Sequence, residues 1–359
     1  MSEKPAPRLR QIYLYPTRSC SLSCRHCWIC ANSTDPSGEP GRARDSEISL
    51  ERMLAWTAEA RELGAEHVKI TGGEPLLRED IAGIYAGLVG QGYRVSLETS
   101  GSECPEDLLE SMRAQPPAQV SVSLDSTVES AHDEFRGREG SWSAAVGFIG
   151  ALQSIGANPQ VIMSSADFDI SAVESMAGFL NGLGVSSLKI NPMMPLGRGA
   201  VRFPFEPHAY SEALLGFAAE VHARFSPRVS IGVPQAFIPA DRLPITGGCN
   251  ILSKLAILPS GRVSLCGMGL IYPELAFASL REARLRDIWY GSDFLETMRA
   301  KIPNRLEGIC ALCMHRNTCA GHCLAENYAV SGRLTASSPI CEAADDLGLF
   351  PPTRKMPIH

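Results

Sequence analysis

The chain has 359 residues, 45% of them hydrophobic, and a formal net charge of −6. That length fits two domains, or one large barrel with an addition, and the apolar content suffices for a sizeable core. The acidic balance excludes a basic nucleic-acid footprint, no run of eighteen apolar residues marks a membrane span, and the opening MSEKPAPRLR lacks the apolar region of a secretory signal, so a cytoplasmic protein without nucleic-acid or membrane partners is expected.

Residues 1–10 read as a tail. From residue 11 strand-like and helix-like segments alternate. Strands are expected at 11–16, 66–71, 93–98, 118–125, 159–164 and 185–191. Between them the apolar spacing turns helical. Residues 79–91 place Ile81, Ile84, Tyr85, Leu88 and Val89 on one stripe; 172–183 and 208–225 repeat the pattern. Six such units in a row predict an α/β fold, a partial (β/α)6 TIM-like barrel over 11–235. On the fourth strand Val120, Val122 and Leu124 alternate with Ser121, Ser123 and Asp125. The apolar set would face the helices and the polar set the lumen. Lys69 with Thr71, Ser96 with Glu98, and Lys189 with Asn191 follow the same rule. A polar lumen near the strand C-termini is where a barrel builds an active site; edge strands with one solvated face are the other reading.

Pro and Gly crowd residues 226–248, the way out of the barrel, with a linker at 236–248. Next come a β-hairpin over 255–267, turning at Ser260-Gly261 with Cys266 on its return strand, and a helix near 285–300. The cysteine-rich extension spans 249–345 and a tail 346–359. Its last third has little apolar content, so metal sites are expected to stabilise it.

Ten of the twelve cysteines fall into two spaced groups. Cys20, Cys24 and Cys27 form C-x3-C-x2-C directly after the first strand. Cys249, Cys266, Cys310, Cys313, Cys319, Cys323 and Cys341 form the second group. Thiolates so spaced, without a secretory signal, read as metal ligands rather than disulfides. Three thiolates on a cubane leave one iron open, which makes a reaction centre. Cys24, Cys27 and Cys30 offer a ferredoxin-like frame, but no C-x3-C-P follows. Zinc would need a fourth ligand. After the second strand stands Gly72-Gly73-Glu74-Pro75, whose glycines allow close backbone approach, or which is an ordinary turn.

The cysteine triplet and this motif together resemble the radical S-adenosylmethionine (SAM) superfamily. That resemblance implies a [4Fe–4S] cluster on Cys20, Cys24 and Cys27, with SAM chelating its open iron. It implies Gly72, Gly73, Glu74 and Pro75 at the SAM amino group, the Glu74 carboxylate accepting from the ammonium, and His26 near the adenine. Ser123-Leu124-Asp125 resembles a ribose-contacting region, and Glu98 joins the cofactor contacts. The stretch from His132 to Gly137 resembles a segment whose arginine, here Arg136, meets the SAM carboxylate; a solvated surface arginine is the alternative. The C-terminal pattern, including Gly261-x4-Cys266 and C-x2-C-x5-C-x3-C, resembles the SPASM extension of the same superfamily. It implies one auxiliary cluster on Cys310, Cys313, Cys319 and Cys341 and another on Cys249, Cys266 and Cys323, three [4Fe–4S] clusters in all. Seven cysteines leave that last cluster one ligand short. Cys30 and Cys104 remain outside the pattern; Cys104 is a candidate hydrogen donor or ligand, or else a buried inert thiol.

The implied chemistry is reductive cleavage of SAM to a 5′-deoxyadenosyl radical that abstracts a substrate hydrogen. Auxiliary clusters would carry an electron away, giving a net oxidation. The Cys24-Arg25-His26-Cys27-Trp28 version points to maturases of ribosomally made peptides, served by a flavodoxin or ferredoxin reductase and a separate leader-recognition protein. Oxidation or epimerisation of a small metabolite such as an aminoglycoside is the alternative. A non-catalytic iron–sulfur carrier or redox sensor is a third class, and it would need neither the GGEP motif nor a polar lumen.

Overall fold

The computed structural model describes residues 8–29, 47–203, 205–225, 228–243 and 249–357. Seven parallel strands lie side by side in chain order: β1 (Gln11–Leu14), β2 (His67–Ile70), β3 (Arg94–Thr99), β4 (Gln119–Ser123), β5 (Gln160–Ser165), β6 (Ser187–Pro192) and β7 (Val229–Ile231). The helices between them are α1 (Leu50–Glu62), α2 (Ile81–Gly90), α3 (Glu106–Ala114), α4 (Glu129–Arg136), α5 (Ser141–Ser154), α6 (Ile170–Gly182), α7 (Gly197–Arg202) and α8 (Pro207–Arg224). Apolar spacing marks some of them and start signals others. α2 buries Ile81, Ile84, Tyr85 and Leu88, the stripe read from sequence. α6 opens on Asp169, whose carboxylate accepts from the Ser171 amide, and buries Val173, Met176 and Leu180. α8 has Pro207 in its first turn and Glu206 accepting from two amides. The strand alternation holds too: Val120, Val122 and Leu124 belong to the core between sheet and helices.

β7 was not anticipated. It lies inside the Pro/Gly-rich 226–248 segment and is only three residues long, too short for an alternation to register. Residues 244–248 of the expected linker lie outside the described residues.

The extension continues the same sheet. β8 (Lys254–Ile257) pairs in parallel with β1, then antiparallel with β9 (Arg262–Ser264), which pairs with β10 (Ala276–Ser279), giving the order β10-β9-β8-β1-β2-β3-β4-β5-β6-β7. The hairpin turns at Ser260-Gly261 as expected. Gly261 has φ +83°, and a Cβ there would lie 2.9 Å from Trp56 of α1. Cys266 stands just after the return strand rather than on it. The helix expected at 285–300 is two helices, α9 (Leu285–Gly291) and α10 (Asp293–Lys301), divided at Ser292, which caps the second through the Leu295 amide. Four short helices complete the extension: α11 (Gly308–Leu312), α12 (Arg316–Cys319), α13 (Leu324–Ser331) and α14 (Pro339–Asp346). Among the described residues no helix is long and apolar enough to cross a membrane.

Candidate active site

The first cysteine loop leaves β1 at the C-terminal end of the strands and is gripped from three sides. The GGEP turn holds its start: Gly73 and Glu74 amides donate to the Thr17 and Ser19 carbonyls at 3.1 and 2.8 Å. A Cβ on Gly73 would collide with the Ser19 and Arg18 carbonyls. The glycines therefore answer to the protein's own backbone, a requirement present without any ligand. The C-terminal end of α4 holds the middle, where Ser23 and Arg25 amides donate to the Arg136 and Phe135 carbonyls, both at 3.0 Å. α7 holds the end: the Arg198 amide donates to the Cys27 carbonyl and its Nε to the Cys24 carbonyl, both at 3.0 Å. Cys30 lies outside the described residues. Burial pushes the Cys20 thiol up to about 12.

The Glu74 carboxylate is 1% exposed and fully engaged. One oxygen accepts from Thr99 Oγ1 at 2.6 Å and the Leu76 amide at 3.0 Å; the other accepts from the Ser100 amide at 2.7 Å and Ser100 Oγ at 2.5 Å. Four donors fill its acceptor sites. The carboxylate thus ties the loop after β3 to the GGEP turn, and a direct bond to a ligand ammonium would have to displace one of these donors. Glu74→Ala strips the acceptor from these buried donors at about 1–3 kcal/mol each. A fall in the urea midpoint of protein without added SAM is therefore expected, and an unchanged midpoint would contradict this tethering role.

Two residues read as separate SAM contacts form one buried ion pair. Arg136 Nε donates to Asp125 Oδ2 at 2.5 Å, and Arg136 Nη1 lies 3.8 Å from Cys24 Sγ. Arg136 is 6% exposed, so it is not a solvated surface arginine. Asp125 Oδ1 also accepts from the Ser164 amide at 2.8 Å. Burial alone would raise the Asp125 carboxyl, yet Arg136 holds it below its ordinary value. His26 stacks on Phe135 at 4.5 Å, with its Nε2 3.3 Å from Ser164 Oγ. Burial lowers its imidazole to about 4, so the ring is neutral at pH 7. Its Nδ1 and the Arg198 Nη2 are buried without hydrogen-bond partners among the described residues. Ser123 is half-buried at the end of β4, and Pro75 opens a 3-10 turn over Pro75–Leu77 that Glu74 caps. Cys104 is exposed, so the buried-thiol reading does not hold.

The lumen carries the charges expected of it. Lys69 Nζ donates to Glu98 at 2.6 Å. Burial would raise the Glu98 carboxyl, but Lys69 and Lys189 keep it low. The Tyr13 ring lies between two ammonium groups, Lys69 at 5.3 Å and Lys254 at 4.6 Å. Lys254, 3% exposed at the start of β8, donates to Cys249 Sγ at 3.1 Å. A Cβ on Gly267, next to Cys266, would lie 2.6 Å from the Tyr15 hydroxyl and 2.8 Å from Trp28. The extension is thus seated on the strand ends beside the first cysteine loop. Sequence reasoning passed over Lys254, Arg198 and Phe135. The signals were a lysine opening an apolar strand five residues after a cysteine, and a Gly-Arg-Gly run after β6.

The seven extension cysteines separate into two groups. Cys310, Cys313, Cys319 and Cys341 line one small cavity with Pro234, Ala236 and Phe350. A bond from Cys341 draws the Cys310 thiol down to about 6. Cys249 and Cys266 lie within electrostatic reach of Cys323 at the start of α13. Among the described residues no set of three or more His, Cys, Asp or Glu converges on a single metal ion, as a zinc site would need.

A family model described as the radical SAM superfamily matches residues 14–165, and one for an iron–sulfur cluster-binding domain, SPASM, matches residues 249–314. The chain belongs to the radical SAM superfamily. It is a SPASM-type member, an oxidoreductase-type enzyme that binds iron–sulfur clusters and SAM. It is 26% identical to an AdoMet-dependent heme synthase of Methanosarcina barkeri over 94% of this chain and 96% of the relative. It is 24% identical to a PqqA peptide cyclase of Methylocella silvestris over 92% and 86%. The fold matches Streptococcus suis SuiB bound to S-adenosylmethionine, with a TM-score of 0.72, 14% identity and coverage of 93% and 78%.

The described residues fit these groups. Four cysteines line one cavity, a donor set whose chemistry suits a cubane. The two orphaned nitrogens, His26 Nδ1 and Arg198 Nη2, are buried donor or acceptor positions that a bound polar cofactor would satisfy.

Proposed function

We propose that this enzyme oxidatively modifies a ribosomally made peptide, with three [4Fe–4S] clusters and SAM as its cofactors. Cys20, Cys24 and Cys27 would hold the SAM-binding cluster; Cys310, Cys313, Cys319 and Cys341 one auxiliary cluster; Cys249, Cys266 and Cys323 the other. Loaded with these groups, the site supplies one-electron cleavage of SAM and hydrogen abstraction from substrate. The protein's part is positional. Glu74 fixes the β3 loop, Gly72 and Gly73 let the two loops touch, and Arg136 sets a cation beside Cys24. His26, neutral and stacked, offers Nδ1 as a donor or acceptor according to its tautomer, and Arg198 Nη2 is a spare donor. Ser123, Pro75 and Glu98 line the same end of the strands.

The oxidative reading rests on one arrangement: a chain of contacts from Cys249 through Lys254 and Tyr13 to Lys69 and Glu98. An auxiliary cysteine group in touch with the lumen suits the removal of an electron from a substrate held there. Similarity to the PqqA peptide cyclase supports a peptide as that substrate. A flavodoxin or ferredoxin would supply electrons, and a leader-recognition protein would present the peptide. Cys104, exposed on the loop after β3, would be a hydrogen donor only for a substrate reaching the rim.

A second reading has its own support. Lys189 is turned into the lumen near Glu98 and Lys69, makes no hydrogen bond among the described residues, and burial lowers its ammonium. A lumen cation beside Glu98 with no hydrogen bond among the described residues suits a small metabolite bearing a carboxylate, and the heme synthase similarity extends over nearly the whole chain. The two separate in one assay. Reduced enzyme with SAM and peptides encoded beside its gene is expected to release 5′-deoxyadenosine and yield a peptide lighter by two hydrogens. Unaltered peptide mass, with turnover of a carboxylated metabolite that Lys189→Met weakens, would replace the first reading by the second.

A further inference from the structure

Eight ligands are needed for two cubanes, and the extension's pattern supplies seven thiolates. The missing position belongs to the group of Cys249, Cys266 and Cys323. Cys104 stands exposed on a barrel loop. One described side chain has the properties of an eighth ligand.

Glu326 lies in the first turn of α13, three residues after Cys323, the extended cap of that helix, and its backbone amide donates to the Cys323 sulfur, so the two residues meet at the helix start. It is 2% exposed. No hydrogen bond or ion pair reaches its carboxylate from any described residue. The other carboxylates of the site are tied down: Glu74 by four donors, Asp125 by Arg136 and the Ser164 amide, half-buried Glu98 by Lys69. A buried acid with no partner is costly unless something outside the described atoms completes it. Glu326 is also within electrostatic reach of Cys323, which in turn faces Cys249 and Cys266. Within the same group Cys249 already accepts from Lys254.

We propose that the Glu326 carboxylate is the fourth protein ligand of the auxiliary cluster held by Cys249, Cys266 and Cys323. This rests on the cluster assignment made above. The carboxylic proton is released as the oxygen binds iron, and no electron changes hands. A hard oxygen among soft sulfurs makes this iron the distinctive one of its cluster and raises the cluster's potential relative to a full thiolate set, as non-thiolate ligands do elsewhere. The auxiliary cluster nearest the lumen is then a closed, relatively oxidising electron acceptor rather than a site where substrate binds iron.

The test uses the reconstituted full-length enzyme, grown with 13C-carboxyl glutamate and reduced anaerobically. Electron–nuclear double resonance is expected to show a 13C coupling on one auxiliary cluster, lost in Glu326→Gln. Cyanide is expected to leave the wild-type auxiliary signals in place and to shift one of them in Glu326→Ala. Glu326→Cys should keep the iron content, lose the 13C coupling and lower that cluster's potential. A wild type without the 13C coupling, or one whose auxiliary signal cyanide shifts as in Glu326→Ala, overturns the proposal; the labelled wild type needs no variant to fold. If Cys249, Cys266 and Cys323 changed together to Ala leave the iron content unaltered, the cluster assignment has failed instead.

Discussion

Replacing Cys20, Cys24 and Cys27 together by Ala is expected to abolish SAM cleavage and to remove about four of roughly twelve irons. The expectation follows from the way the loop is held. Its backbone is fixed from three sides by the GGEP turn, the end of α4 and the Arg198 region, through bonds that do not involve the sulfurs. Losing three thiols therefore leaves the loop standing and the extension cysteines untouched. Iron content should fall by the share of one cluster, while the circular dichroism of the barrel stays. The measurements are iron per chain and 5′-deoxyadenosine released by the reduced protein. Residual SAM cleavage in the triple variant would exclude this triplet as the reaction centre, and loss of all iron would mean that the extension does not fold independently of the loop.

The sequence was most informative where a physical pattern repeats. α2 and α8 bury the stripes their spacing displays, and the fourth strand separates Val120, Val122 and Leu124 from Ser121 and Asp125 because side chains alternate across a strand. The cysteine spacing and GGEP named the superfamily, since thiolates and glycines at fixed separations have few other uses. What was hidden is what long-range packing decides. Asp125 and Arg136 are eleven residues apart and each looked like a separate ligand contact; only the fold reveals them as each other's partner. Glu74 looked free because its partners, Thr99 and Ser100, are a whole βα unit away. The parallel pairing of β8 with β1 joins segments some 240 residues apart and leaves no local trace. Glu326 is hidden for the opposite reason: an acid in a short helix ordinarily faces water, and only its burial marks it.

The Asp125–Arg136 pair should dominate the stability of this end of the barrel. Both side chains are nearly inaccessible, at 5% and 8% exposure, so water cannot replace either partner. Asp125→Ala leaves a guanidinium buried beside Cys24 with no counter-charge, which costs about 3–5 kcal/mol in such settings. Arg136→Met leaves a carboxylate held only by the Ser164 amide, at similar cost. The double variant, with no buried charge left from the pair, is expected to be more stable than the sum of the single losses implies, a coupling that a double-mutant cycle reads directly. Acidity supplies an independent signature. The Asp125 carboxyl is held below its unfolded value, near 4 for an aspartate. Its contribution is present in full above that value and is lost as pH falls through the lower, folded one. Urea midpoints of the reconstituted protein between pH 7 and pH 3 should therefore fall less steeply in the double variant than in the wild type. Single losses that add without coupling, or an unchanged acid limb, would reduce the pair to two independent contacts.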